Sequence, residues 1–98
     1  MNNLTLVDLF LNEYWIEKGL SENTVQSYRL DLTALCDWLD KQNLSLETLE
    51  PLDLQQFLGS RLEQGYKATS TARMLSAMRK LFQYLYREKY RTDDPVPY

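Results

Sequence analysis

Apolar residues recur three and four positions apart along most of the chain, the spacing that gathers them on one side of an α-helix. Four such stretches are separated by short polar breaks. The first predicts a helix from about Thr5 to Lys18. Thr5 suits its N-cap, Asp8 follows in the first turn where a carboxylate meets the positive end of the helix dipole, and Gly19 suits its end. Leu6, Leu9, Phe10, Tyr14 and Ile16 cover a broad arc, which Leu11 and Trp15 extend. That is more apolar surface than one narrow contact needs. Either the helix is buried between two neighbours, or one edge of it docks on another protomer.

Ser21 opens the second helix, which runs to about Lys41. Val25, Tyr28, Leu32, Leu35, Cys36 and Leu39 form its core stripe. Its other side carries Asn23, Gln26, Ser27, Leu30 and Ala34, which are small or uncharged. In a chain rich in acids, such a face either packs on another part of a larger protein or approaches a phosphate backbone and base edges without repulsion. Trp38 sits beside this face, at the edge of the core stripe. Residues 42–50 form a loop anchored by Leu44, Leu46 and Leu49. Pro51 then fits the first position of a third helix, where its missing N–H costs nothing. Leu52, Leu54, Phe57, Leu58 and Leu62 supply the apolar side of this scaffold helix. It reaches about Gln64 and is closed by Gly65.

The fourth stretch, Tyr66–Arg91, is the most informative. Its helix opens near Lys67 to Thr69. Leu75, Met78, Leu81, Phe82 and Leu85 gather on one side, and Thr69, Arg73, Ser76, Ala77, Lys80 and Arg87 on the other. The second group is a line of hydroxyls and long cations about one turn apart. The first turn holds Thr69, Ser70 and Thr71. Hydroxyls and free N–H groups at a helix start favour an anion, and capping accounts for only one of the three. Arg73, one turn further on, has the fork geometry that grips a phosphate or the edge of a guanine.

Charge sharpens this reading. The chain has a formal net charge of -3. Residues 1–60 hold only Lys18, Arg29 and Lys41 as cations against ten acids, whereas residues 61–98 hold eight cations against Glu63, Glu88, Asp93 and Asp94. A general polyanion binder is not acidic overall. A basic strip on an acidic body fits a partner that docks in one orientation.

Ninety-eight residues with 44% hydrophobic content make one small domain with a real core. Residues 1–91 are expected to form it, and 92–98 to begin a linker kept extended by Pro95 and Pro97, ahead of a further domain. Cys36 is alone, so it makes no internal disulfide and is expected as a buried free thiol. No segment has the length and apolarity of a membrane span, and the N-terminus does not follow the signal-peptide pattern, which points to the cytoplasm. The chain has no His and no Cys–His grouping, so neither a metal site nor a cofactor is expected. No catalytic constellation is expected either. The competing functional class is a helical protein-interaction domain whose basic face meets an acidic partner.

Three segments carry a family resemblance: FLNEYWIEKGL at Phe10–Leu20, LSENTVQSYRLDL at Leu20–Leu32, and LEQGYKATSTARMLSAMRKLFQYLYREKYRTDDP at Leu62–Pro95. With the pattern Thr24, Tyr28, Asp31 and Leu32, then Arg73, Leu75, Ser76, Ala77 and Arg79, they resemble the N-terminal core-binding, SAM-like domain of tyrosine recombinases, the group of phage integrases and Xer recombinases. The resemblance implies an all-α domain, a compact four-helix bundle that forms half of a clamp around duplex DNA. Its second and fourth helices would face the major groove of a dif-type recombination half-site, through Gln26, Ser27 and Leu30 and through Thr69, Ser70, Arg73, Ala77 and Lys80. Ser76 joins them on the helical face. Lys67 stands where many relatives carry a small polar cap and adds a cation there. The first helix would touch a neighbouring protomer, in a tetramer with XerC-like recombinases that resolves chromosome dimers. Strand cleavage through a 3′-phosphotyrosyl link would belong to a second domain, so this chain alone would be no enzyme.

Overall fold

A computed structural model describes residues 2–96. Four helices account for its regular structure: α1 (Asn3–Lys18), α2 (Glu22–Lys41), α3 (Pro51–Glu63) and α4 (Ala68–Arg87). The described residues are all-α and contain no strand, in agreement with the sequence. They divide into two units, one up to Leu46 with α1 and α2, and one from Glu47 with α3 and α4.

In the first unit α1 begins two residues earlier than the pattern predicts. The N-cap is Asn2, not Thr5; the Asn2 side chain accepts a hydrogen bond from the Leu4 backbone N–H at 2.8 Å. Asn is at least as good a cap as Thr, and starting there adds almost a full turn of helix. Gly19, at φ 61, takes the left-handed conformation that closes the helix. The buried stripe is Leu6, Val7, Phe10 and Leu11. Leu9, Trp15 and Ile16 lie outside it, Ile16 with 82% of its surface exposed. The α2 stripe, Val25, Leu32, Leu35, Cys36 and Leu39, is buried as its spacing predicts, and Ser21 caps the helix by accepting from the Thr24 N–H. Tyr14 stacks on Phe10 with ring centroids 5.2 Å apart and meets Tyr28 of α2 at 6.3 Å.

A polar clasp closes this unit. Asn3 is only 7% exposed. Its amide donates to Asp40 Oδ1 at 3.0 Å and to the Leu44 carbonyl at 3.1 Å, and its Oδ1 accepts from the Leu46 N–H at 2.8 Å. One side chain thus ties the start of α1 to the end of α2 and to the loop beyond it. The loop turns through Asn43 at φ 57, a conformation that Asn tolerates better than most residues.

In the second unit Pro51 is the first residue of α3, and Glu50 and Asp53 form a reciprocal capping box. Leu54 and Phe57 are buried. Leu52 and Leu62, expected on the same apolar face, are 59% and 55% exposed, and Arg61 is buried instead. The stripe of α4 is also turned from the expected one. Met74 and Ala77 are fully buried beside Met78, Leu81, Phe82 and Leu85, while Leu75 is half-buried. Arg91 is 7% exposed, donates to the Leu49 carbonyl at 2.8 Å, pairs with Asp93 at 3.1 Å and lies over the Phe82 ring. Pro95 and Val96 are buried, so the tail as far as Val96 packs within this unit; Pro97 lies outside the described residues.

Two predictions follow from the first unit. Asn3→Ala leaves the buried Leu46 N–H without an acceptor, and should lower stability by about 2–3 kcal/mol in urea unfolding; a change within error would show the clasp to be incidental. Burial, assisted by the charges of Asp40, Asp37 and Asp8, pushes the Cys36 thiol up to about 12. The reactive thiolate is therefore scarce until well above the ordinary thiol range. Native protein should resist alkylation by iodoacetamide at pH 8.5, and urea-unfolded protein should label readily. Equal rates in the two states would contradict the burial.

Candidate nucleic-acid interface

Two helix faces carry the residues singled out in the sequence, one in each unit. On α2 the core stripe fixes which side points outward. Asn23 and Gln26 are exposed, Ser27 is half-buried, and Leu30 exposes 72% of its surface. A leucine so exposed on an otherwise polar side is not explained by packing within the unit. Arg29, between these positions, is drawn to one flank by an ion pair with Asp8 of α1. The face from Asn23 to Ala34 is therefore uncharged. Glu22 precedes this face in the first turn, and Asp37, exposed further along, brings another carboxylate onto the outward side.

On α4 the fully buried Met74, Met78, Leu81, Phe82 and Leu85 set the helix's rotation. Thr69 and Arg73 then point outward, with Ser76 and Lys80 half-buried along the same line. Lys80 Nζ donates to Ser76 Oγ at 2.8 Å, an i, i+4 contact that holds the ammonium against the helix surface. Ser70 is half-buried at the edge of the face. Ala77 does not belong to it. At 0% exposure it offers no atom to a groove, and its small side chain serves to let the helix pack closely. Gln83, exposed and one turn beyond Lys80, extends the line and was missed. Its signal was the spacing of three from Lys80, but a neutral amide adds nothing to a search for cations. Arg87 follows, stacked against Tyr84 and paired with Glu88 at 3.7 Å.

The start of α4 is chemically unusual. Lys67 is the N-cap residue, in extended backbone, and no side chain caps the helix. The first N–H groups of α4 therefore lack the side-chain acceptor that Ser21 supplies in α2, and Lys67 adds positive charge beside them. Just before this point the Arg61 guanidinium lies 4.1 Å from the Tyr66 ring centroid and 5.8 Å from that of Phe57. Its Nε is buried without a hydrogen-bond partner, and so is Thr71 Oγ1 in the first turn of α4. Those two atoms are buried; the exposed Lys67 and the uncapped first N–H groups are what suits this helix start to an anion. Arg61 was not recognised in the sequence, because its spacing places it within the apolar stripe of α3.

No group of three or more His, Cys, Asp or Glu side chains among the described residues is arranged to hold a metal ion. No described helix is long and apolar enough to cross a membrane.

The chain resembles known proteins over most of its length. Residues 7–89 match the phage integrase N-terminal SAM-like domain. The chain is 87% identical over 95 residues to tyrosine recombinase XerD of Haemophilus influenzae, an alignment covering 97% of this chain and 32% of that protein. It is 74% identical to XerD of Pasteurella multocida over the same shares, and 61% identical to XerD of Yersinia pestis over 93% of this chain and 30% of the relative. The chain thus spans about a third of the length of these relatives. The family match spans most of the chain, and the chain belongs to the phage integrase N-terminal SAM-like domain family.

Proposed function

We propose that this chain is the DNA-gripping part of a XerD-type tyrosine recombinase, and that it targets a dif-type half-site for chromosome dimer resolution in the cytoplasm. The observation that carries the reading is the outward line of α4, Thr69, Arg73, Ser76 and Lys80, running from an uncapped helix start at Lys67. An α-helix fits the major groove of duplex DNA, a free helix N-terminus favours phosphate, and Arg reads guanine or holds phosphate bidentately. Ser70 lies at the edge of this line, and the α2 face contributes Gln26, Ser27 and Leu30. Ala77 takes no part.

The relatives' length supports placing strand cleavage elsewhere. A part of such a recombinase that this chain does not span would supply the nucleophilic tyrosine and the groups that stabilise the transition state. The working complex would hold XerC-like partner protomers in a tetramer on DNA. The exposed edge of α1, with Leu9, Trp15 and Ile16, is the surface this reading gives to a neighbouring protomer.

A helical domain that docks an acidic protein would share the salt dependence but not the preference for a DNA sequence. Fluorescence anisotropy with a dif-type duplex and a scrambled duplex separates the two. Arg73→Ala should weaken binding to the dif-type duplex by about 1–3 kcal/mol and reduce the preference for it if the guanidinium reads a base. Unchanged affinity would remove α4 as the recognition helix. Lys80→Ala should instead weaken both duplexes alike and lower the slope of log affinity against log salt by about one. A sequence-selective loss at Lys80 would exclude a purely phosphate role for it.

A further inference from the structure

We infer that the outward face of α2 reads A·T base pairs, with Leu30 against a thymine methyl group and Gln26 bonded to an adenine edge. The inference rests on the DNA reading above and deepens it, by naming the bases that one of the two faces selects.

The side-chain chemistry of the face carries the inference. Each base pair shows the major groove a different set of groups. Guanine presents two acceptors and is read by Arg or Lys. Cytosine presents an amino donor and is read by Asp or Glu. Adenine presents one acceptor and one donor, matched by the amide of Gln or Asn, and thymine presents a methyl group, matched by an apolar side chain. Over its first three turns the α2 face holds Asn23, Gln26, Ser27 and Leu30; Ser27 discriminates little, and Glu22, the one acid, sits in the first turn, where the positive end of the helix engages its charge. Arg29, the one cation in those turns, is held to the flank by Asp8. Asp37 lies two turns beyond Leu30, where its charge opposes a phosphate backbone and confines close approach to the N-terminal half of the helix.

The geometry of the pair is suitable. Gln26 and Leu30 are four residues apart and so stand on the same side of the helix, about 6 Å apart along its axis. That distance spans roughly two base-pair steps of about 3.4 Å. Gln26 is exposed, and its amide makes no hydrogen bond among the described residues. Both its donor and its acceptor are available to one adenine. Leu30, at 72% exposure, has apolar surface in water that a thymine methyl would cover. The two faces then divide the work: α4, with Arg73 and Lys80, provides the cations, and α2 provides discrimination without charge.

The test changes single atoms of the DNA. The chain is titrated with a dif-type half-site duplex, and with a series in which each thymine in turn becomes uracil, which removes only the 5-methyl group. A second series replaces each adenine with 7-deazaadenine, which removes only the N7 acceptor. Wild-type chain should lose roughly fourfold in affinity at one or two neighbouring thymines, the effect of one buried methyl group. It should lose about fivefold at a nearby adenine. Leu30→Ala should be insensitive to the same uracil, and Gln26→Ala to the same 7-deazaadenine; both sites are exposed, so both variants should fold, as circular dichroism can check.

Wild-type binding that is indifferent to uracil at every position overturns the inference and leaves the DNA reading standing. So does a uracil effect that persists undiminished in Leu30→Ala. Absence of binding to the unmodified duplex removes the DNA reading itself, and this inference with it.

Discussion

The rotation of α4 about its own axis is the constraint on which the candidate interface depends. Met74, Met78, Leu81, Phe82 and Leu85 have no exposed surface, and large side chains in a close-packed interior tolerate little rotation before they clash or open voids. Their burial therefore fixes the opposite line, Thr69, Arg73, Ser76 and Lys80, without any interaction among those residues themselves. Ala77 is part of the same constraint. Its small side chain allows close packing on the edge where the stripe meets the outward face. A larger residue there would turn the helix or push it away, and Arg73 and Lys80 would turn with it.

The two long helices meet their N-terminal requirements in opposite ways. At α2, Ser21 supplies an acceptor, so the helix start is satisfied by its own chain. At α4 the cap residue is a lysine that supplies none, and Arg61 and Thr71 add buried polar atoms without partners at the same corner. Unmet buried donors are destabilising in an isolated domain. An anion bound as proposed would meet only the exposed first N–H groups of α4 and leave the two buried atoms as they are. The uncapped start of α4 and the anion affinity proposed for it are two aspects of one choice of residue at position 67.

Much of this was legible in the sequence because it was local. Ser21, Gly19, Pro51 and the stripe of α2 are signals confined to one turn or one helix, and they placed the starts of α2 and α3, the end of α1 and the all-α class. Readings that needed distant partners failed. Asn3 seemed an unremarkable residue ahead of a Thr5 cap, but its partners are Asp40, Leu44 and Leu46, about forty positions away. Periodicity gave the direction of the α4 stripe only to within a neighbouring residue. It favoured Leu75 over Met74 and left Ala77 on the wrong side, because an alanine carries no strong preference for either. Arg61 falls within the apolar spacing of α3, and only the Phe57 and Tyr66 rings, which no local signal announces, give its guanidinium a buried seat.

On the proposed DNA reading, the acidic balance of the chain has a function. If the whole surface were basic, it would hold any duplex in many orientations, and counterion release would dominate its affinity. Ten acids in residues 1–60 oppose that. At physiological salt, attraction fades beyond about 8 Å, so the cations of α4 act only on what lies against them. Most of the acids elsewhere repel a backbone that arrives in the wrong pose. The uncharged outward face of α2 is then the part of the acidic half that a duplex can approach most closely. On that reading net charge and local charge perform different tasks: the first suppresses unproductive encounters, and the second, set by a few buried methionines and leucines, defines the productive one.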